Sequence, residues 1–100
     1  MSISVPTETR WTRTVGSELR WASWDAEEVV YDAASGDTHV LDPVTAFLLK
    51  RLQSTSARES ELADFVAEEL KVDYYEELLV RVHRSLIGLR TLSLVNSVSS

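Results

Sequence analysis

The sequence predicts a single α+β domain, in which three short strands lead without a linker into three helices. Three observations carry this. Two runs rich in β-branched and aromatic residues, 19–24 (LRWASW) and 28–32 (EVVYD), are followed by the turn chemistry of 34–37 (ASGD). Thr38-His39-Val40-Leu41 then reads as a third strand that ends at Asp42-Pro43. From there on, apolar residues recur at helical spacing behind successive helix-start signals. The length of 100 residues allows one core, and an apolar share of 44% with three Trp argues for a folded chain.

Residues 1–17 are polar and irregular, and read as a flexible N-terminal arm. The arm is expected to dock through Trp11 as an irregular extra strand. In the first strand Leu19 and Trp21 share one face and Ala22 and Trp24 the other. In the second, Val29 and Tyr31 oppose Val30 and Asp32. Both faces carry apolar residues, so period alone does not choose the buried one. Leu41 is the expected core residue of the third strand. Because the helix follows at once, the outer edge of this strand is expected to stay unpaired. An unpaired edge is where an extended peptide can add itself.

Asp42 is placed as an N-cap and Pro43 at the first helical position, where its missing N–H costs nothing. Val44, Phe47, Leu48 and Leu52 form that helix's apolar face. Ser56 to Glu59 reads as a capping box opening a second helix, with Leu62, Phe65, Val66 and either Glu69 or Leu70 facing the core. A further box, Asp73 to Glu76, opens the longest helix, over 74–92. On it, Tyr75, Leu79, Val82, Leu86 and Leu89 make one apolar stripe. Val80, His83 and Ile87 make a second, roughly 120° away, with Arg84 beside it. Either the helix is sandwiched, or the second stripe is a contact surface that forms a groove with the third strand. The domain is expected over 18–95, with 96–100 as a polar tail.

Charge and composition exclude several functions. The net charge of −6 disfavours phosphate-backbone binding as the main task. Residues 25–42 hold six acidic side chains and no Lys or Arg, as a solvated hairpin would, without the ligand spacing of a calcium loop. With no Cys and only His39 and His83, no metal site is expected. Three Gly allow no phosphate loop, and no nucleophile elbow occurs. The adjacent carboxylate pairs Glu68-Glu69 and Glu76-Glu77 diverge on their helices. The chain therefore reads as a non-enzyme with no cofactor. No signal peptide or membrane span is read, so a cytoplasmic location is expected.

The order of strand, strand, turn, strand, Asp-Pro helix, then SELADFVAEEL (60–70), Val72-Asp73 and a long helix closing on Leu94-Val95 resembles PqqD. Those proteins are the peptide chaperones, or recognition elements, of ribosomally made and modified peptides. The stretch VYDAASGDTHVLDP (30–43) is similar to members found beside kinases related to HPr kinase. The resemblance spans about 18–95, with Ser93 where a Gly precedes the final Leu-Val pair. It implies a winged-helix-like domain, with a three-stranded antiparallel sheet packed on three helices. It also implies a leader or substrate peptide bound along the third strand against the last helix, and a separate modifying enzyme, of the HPr-kinase-related type, as partner. Together these readings make Thr38, His39, Val40, Leu41, Val80, His83, Arg84 and Ile87 the expected peptide-binding residues. The alternative is a winged-helix DNA-binding protein using Arg81, Arg84 and Arg90, with Arg58 assisting. Glu76 and Glu77 in the first turn of that helix oppose it.

Overall fold

A computed structural model describes residues 9–25, 27–71 and 75–98, apart from the side chains of Trp24 and Tyr75. Three antiparallel strands, β2 (Leu19–Trp24), β3 (Glu27–Asp32) and β4 (Asp37–Leu41), form a sheet in that order. Three helices follow: α1 (Pro43–Ser54), α2 (Glu59–Leu70) and α3 (Tyr75–Thr91). This is the expected α+β architecture. A second small sheet accompanies it, in which β1 (Arg10–Arg13) lies between β5 (Ala57–Arg58) and β6 (Val95–Val98).

The register settles which face of the main sheet is buried. Trp21 pairs with Val30 and Val30 with His39, so these share one face with Leu19, Asp32 and Leu41. Val30 and Leu41 are buried there, and Leu19 and Trp21 pack against the core at its edge. Ala22, Tyr31 and Val40 face outward and are exposed. Two turns use positive φ, at Asp25 between β2 and β3 and at Gly36 between β3 and β4. Gly36 N–H donates to Asp32 O at 2.7 Å and closes the second turn.

α1 starts as its sequence dictates. Asp42 Oδ1 accepts from Thr45 N–H at 2.8 Å and Pro43 follows the cap. Its buried face is broader than expected, with Ala46 and Leu49 beside Val44, Leu48 and Leu52, while Phe47 is half-buried. α2 begins at Glu59 and not from a Ser56 box, because residues 57–58 are taken up by pairing with β1. Glu61 provides the capping contact, its Oε1 accepting from Arg58 N–H at 2.9 Å. The core side of α2 is Leu62, Ala63 and Val66. Glu69 and Leu70 are exposed, and Phe65 is half-buried because the Arg51 guanidinium covers its ring at 3.9 Å. The box at Asp73 and Tyr74, and the Tyr75 side chain, lie outside the described residues.

On α3, Val82, Leu86 and Leu89 are buried as expected, with Leu78 beside them and Leu79 only half-buried. The helix packs against α1, α2 and β6. It ends in a Schellman motif: Leu94 N–H bonds Leu89 O at 2.9 Å and Ser93 N–H bonds Arg90 O at 2.9 Å. Ser93 occupies the left-handed position, with φ 64°, and Leu89 and Leu94 are both buried.

At the N-terminal side the extra strand expected through Trp11 is present, and at the C-terminal side residues expected as tail extend the same sheet. Residues 10–13 form β1, pairing Trp11 with Ala57 on one side and with Ser97 on the other. Trp11 is 1% exposed, and its indole Nε1–H donates to Glu59 Oε1 at 3.1 Å. The Arg90 guanidinium lies 5.4 Å from its ring centre. Residues 96–98, expected in the tail, belong to β6. A hydrophobic, well-placed Trp is what converts a polar segment into a strand here.

Candidate functional site

The outer edge of β4 is unpaired among the described residues. The hydrogen-bond phase of the sheet shows which backbone groups it presents. Ala33 N–H donates to Glu18 O at 2.8 Å, continuing the β2–β3 ladder one step past Asp32. In an antiparallel ladder the bonded direction alternates residue by residue. Residues 29, 31 and 33 therefore point their backbone groups toward β2, and 28, 30 and 32 toward β4. Gly36 N–H bonding to Asp32 O agrees. With Asp32 opposite Asp37 and Val30 opposite His39, it follows that Asp37, His39 and Leu41 bond inward to β3. Thr38 and Val40 are left with N–H and C=O groups on the open edge.

Past the end of β4, where Asp42 follows Leu41, lies a cleft of about 550 Å³ between the start of α1 and one face of α3. Thr45 Oγ1 bonds Ser85 Oγ at 3.0 Å and ties the two helices at the base of the cleft. Arg81 and Arg84 line it from α3, with Asp42 across from them and Leu89 and Leu92 below. Neither arginine makes an ion pair among the described residues, so they do not pair with Glu77 on their own helix. Gly88 also lines the cleft, and a Cβ added there would touch nothing within 4 Å. Glycine inside a helix costs about 1 kcal/mol relative to Ala. No packing requirement inside the molecule accounts for it.

A second hollow, about 390 Å³, opens at the other end of β4. It is lined by Asp32, Ser35 and Asp37 from the β3–β4 turn, Thr14 and Ser17 before β2, and Leu92 and Ser93 after α3. Leu92, which is 40% exposed, lines both hollows, so they adjoin there as one trough, which meets β4 at Asp37 and at the following Asp42 and is not lined by Thr38 to Leu41. Asp32 Oδ1 accepts from Glu18 N–H at 3.1 Å and Ala34 N–H at 2.9 Å. These bonds, that from Glu18 foremost, outweigh the opposing effect of burial and hold its pKa below the usual carboxylate value.

The structure divides the expected residues. Thr38 to Leu41 form the edge strand, Val40 exposed and His39 half-buried on the inner face, and Arg84 stands in the cleft. Val80, His83 and Ile87 do not line either hollow. His83 Nδ1 is hydrogen-bonded to Glu59 Oε1 at 2.9 Å, on the side of α3 that faces α2 and β1. Ile87 packs half-buried against the core and Val80 is exposed. The cleft face of α3 runs instead through Arg81, Ser85, Gly88 and Leu92. Its signal in the sequence is a line of small and cationic residues at helical spacing, which a search for apolar stripes passes over. No helix among the described residues is long and apolar enough to cross a membrane.

No family model and no curated protein matches this chain. Among solved structures the chain is similar to TbiB1 in complex with the TbiA(beta) leader peptide, at TM-score 0.65 and 20% sequence identity. The match covers 89% of this chain and 99% of that one. The likeness is one of fold. It extends over nearly the whole of TbiB1, so the α+β arrangement found here is that protein's arrangement, strands and helices together.

Proposed function

We propose that this protein is a non-catalytic peptide-binding module. An extended leader or substrate peptide adds to the open edge of β4 beside α3, and is held there for a separate modifying enzyme. The observation that carries the reading is the unpaired edge at Thr38 and Val40, with a hollow at each end of its strand and Leu92 common to both. Backbone pairing to those groups supplies affinity with little regard for sequence, while side chains at alternate peptide positions reach the trough and supply selectivity. That TbiB1, of the same fold, was solved with a leader peptide supports this use of the fold. Holding the peptide near an enzyme raises its effective concentration and needs no covalent step by the module. The partner suggested by the sequence resemblance is an enzyme of the HPr-kinase-related type.

The test is a ¹H–¹⁵N NMR titration with synthetic peptides tiling the short reading frames beside the gene. Shifts are expected at Thr38, Val40 and the 81–92 face of α3. Val40→Pro removes an edge N–H without breaking the β3–β4 ladder, and should weaken binding about tenfold or more. His39 is the control of opposite phase, since His39→Pro breaks a ladder bond and acts on stability. Shifts confined to α1 and α2 would refute the site. Duplex DNA is the competing ligand, expected to bind no tighter than about 10⁻⁴ to 10⁻⁶ M at physiological salt.

A further inference from the structure

The trough beside β4 is electrically asymmetric along its length. At the Leu41 end Arg81 and Arg84 outweigh the single carboxylate of Asp42, whose Oδ1 is engaged in capping α1. At the other end Asp32 and Asp37 line the hollow and no cationic side chain does. Asp37 is exposed and makes no ion pair among the described residues. Between the ends the lining is uncharged, with Leu89 and Leu92 its large apolar residues, Ser85, Thr91 and Ser93 beside them, and open space above Gly88.

A strand laid along β4 meets these three zones in order. From residue 37 to residue 41 is four strand steps, about 13 Å. Side chains on one face of the added strand recur every second residue, so three of them span this distance at positions i, i+2 and i+4. An antiparallel added strand enters at the Leu41 end, and antiparallel pairing is the more stable per residue. We infer that the ligand is an extended peptide carrying an acidic, an apolar and a basic residue at alternate positions, in that order from its N-terminal side. The acid meets Arg81 and Arg84, the apolar side chain covers Leu92 over Gly88, and the basic residue meets Asp37. This rests on the reading that a peptide adds to the β4 edge, and gives that peptide a charge order and a direction.

The experiment uses three synthetic nine-residue peptides in a threonine background, with cores Glu-Thr-Leu-Thr-Lys, Lys-Thr-Leu-Thr-Glu and Gln-Thr-Leu-Thr-Gln. Each is titrated into the ¹⁵N-labelled protein at low salt. The first should bind about fivefold more tightly than the neutral peptide, and the reversed peptide more weakly than either. Arg81→Ala with Arg84→Ala should remove the preference, and Asp37→Lys with Arg84→Glu should reverse it. These side chains are exposed, and circular dichroism checks that the variants are folded. Equal affinities for all three, with shifts at Thr38 and Val40, would overturn the charge order and leave strand addition standing. Shifts elsewhere, or no binding by any of the three at millimolar concentration, would overturn both.

Discussion

Trp11 should be among the most costly residues to remove, although it lies in a segment with little other sequence signal. It is 1% exposed and stands at the centre of the β5–β1–β6 sheet. Truncating a buried Trp to Ala costs about 3–5 kcal/mol, from lost transfer energy and the cavity left behind. A domain of this size has roughly 5–15 kcal/mol in total, so Trp11→Ala should bring it near the threshold of folding. Trp11→Phe keeps most of the ring and loses the indole bond to Glu59, a partly exposed carboxylate, at a further cost of about 1 kcal/mol. His83 shares the same carboxylate oxygen, so Glu59→Gln should couple to both positions in a double-mutant cycle. Urea unfolding followed by far-ultraviolet circular dichroism measures each step, and amide exchange at 95–98 reports whether β6 loosens with β1. A loss below about 1 kcal/mol for Trp11→Ala, with exchange at 95–98 unchanged, would refute the docked strand.

Leu86→Ala should cost about 2–5 kcal/mol, whereas Phe65→Ala, whose ring is half-exposed under Arg51, should cost about 1–2 kcal/mol in the same assay. Equal losses would mean that Phe65 is a full core residue. Ser93→Gly should stabilise the fold by about 0.5–1 kcal/mol, read as a rise in the urea midpoint, because φ 64° is strained for serine and free for glycine. Asp32 has a folded-state pKa below its unfolded one, so its contribution is complete above the unfolded value, about pH 4, and is lost as pH falls through the folded value. Urea midpoints of Asp32→Asn should therefore fall less on acidification below pH 4 than those of the parent chain; parallel profiles would exclude Asp32 as a contributor.

The main sheet and the start of α1 were legible because their causes are local. Asp42 and Pro43 act within one turn of each other, and Gly36 acts on its own backbone. β1 was legible only as an irregular strand docked through Trp11; its bounds and partners were not, since they lie at 57–58 and 95–98 and a four-residue RWTR segment carries no alternation long enough to read. The same pairing moved the start of α2 from Ser56 to Glu59. Of the site, the edge strand and Arg84 were legible from strand order and helix projection. The phase that exposes Thr38 and Val40, and the line through Arg81, Ser85, Gly88 and Leu92, depend on register and on how α3 is rotated about its axis. Neither is written in any short stretch of residues.

The position of β1 has a consequence for the order of folding. Both hairpins of the main sheet and all three helices close through neighbours in sequence, so they can form as soon as their own segments are available. β1 is made before both of its partners, needing β5 and then β6, which emerges after all three helices. Trp11 stays uncovered over that interval, and the closing step is a docking of the first strand between two later ones. Slowed elongation past α3 would lengthen the time during which this tryptophan is exposed. Truncation before Val95 would leave β1 with a single two-residue partner, and would loosen the indole bond that ties Trp11 to Glu59 in the first turn of α2.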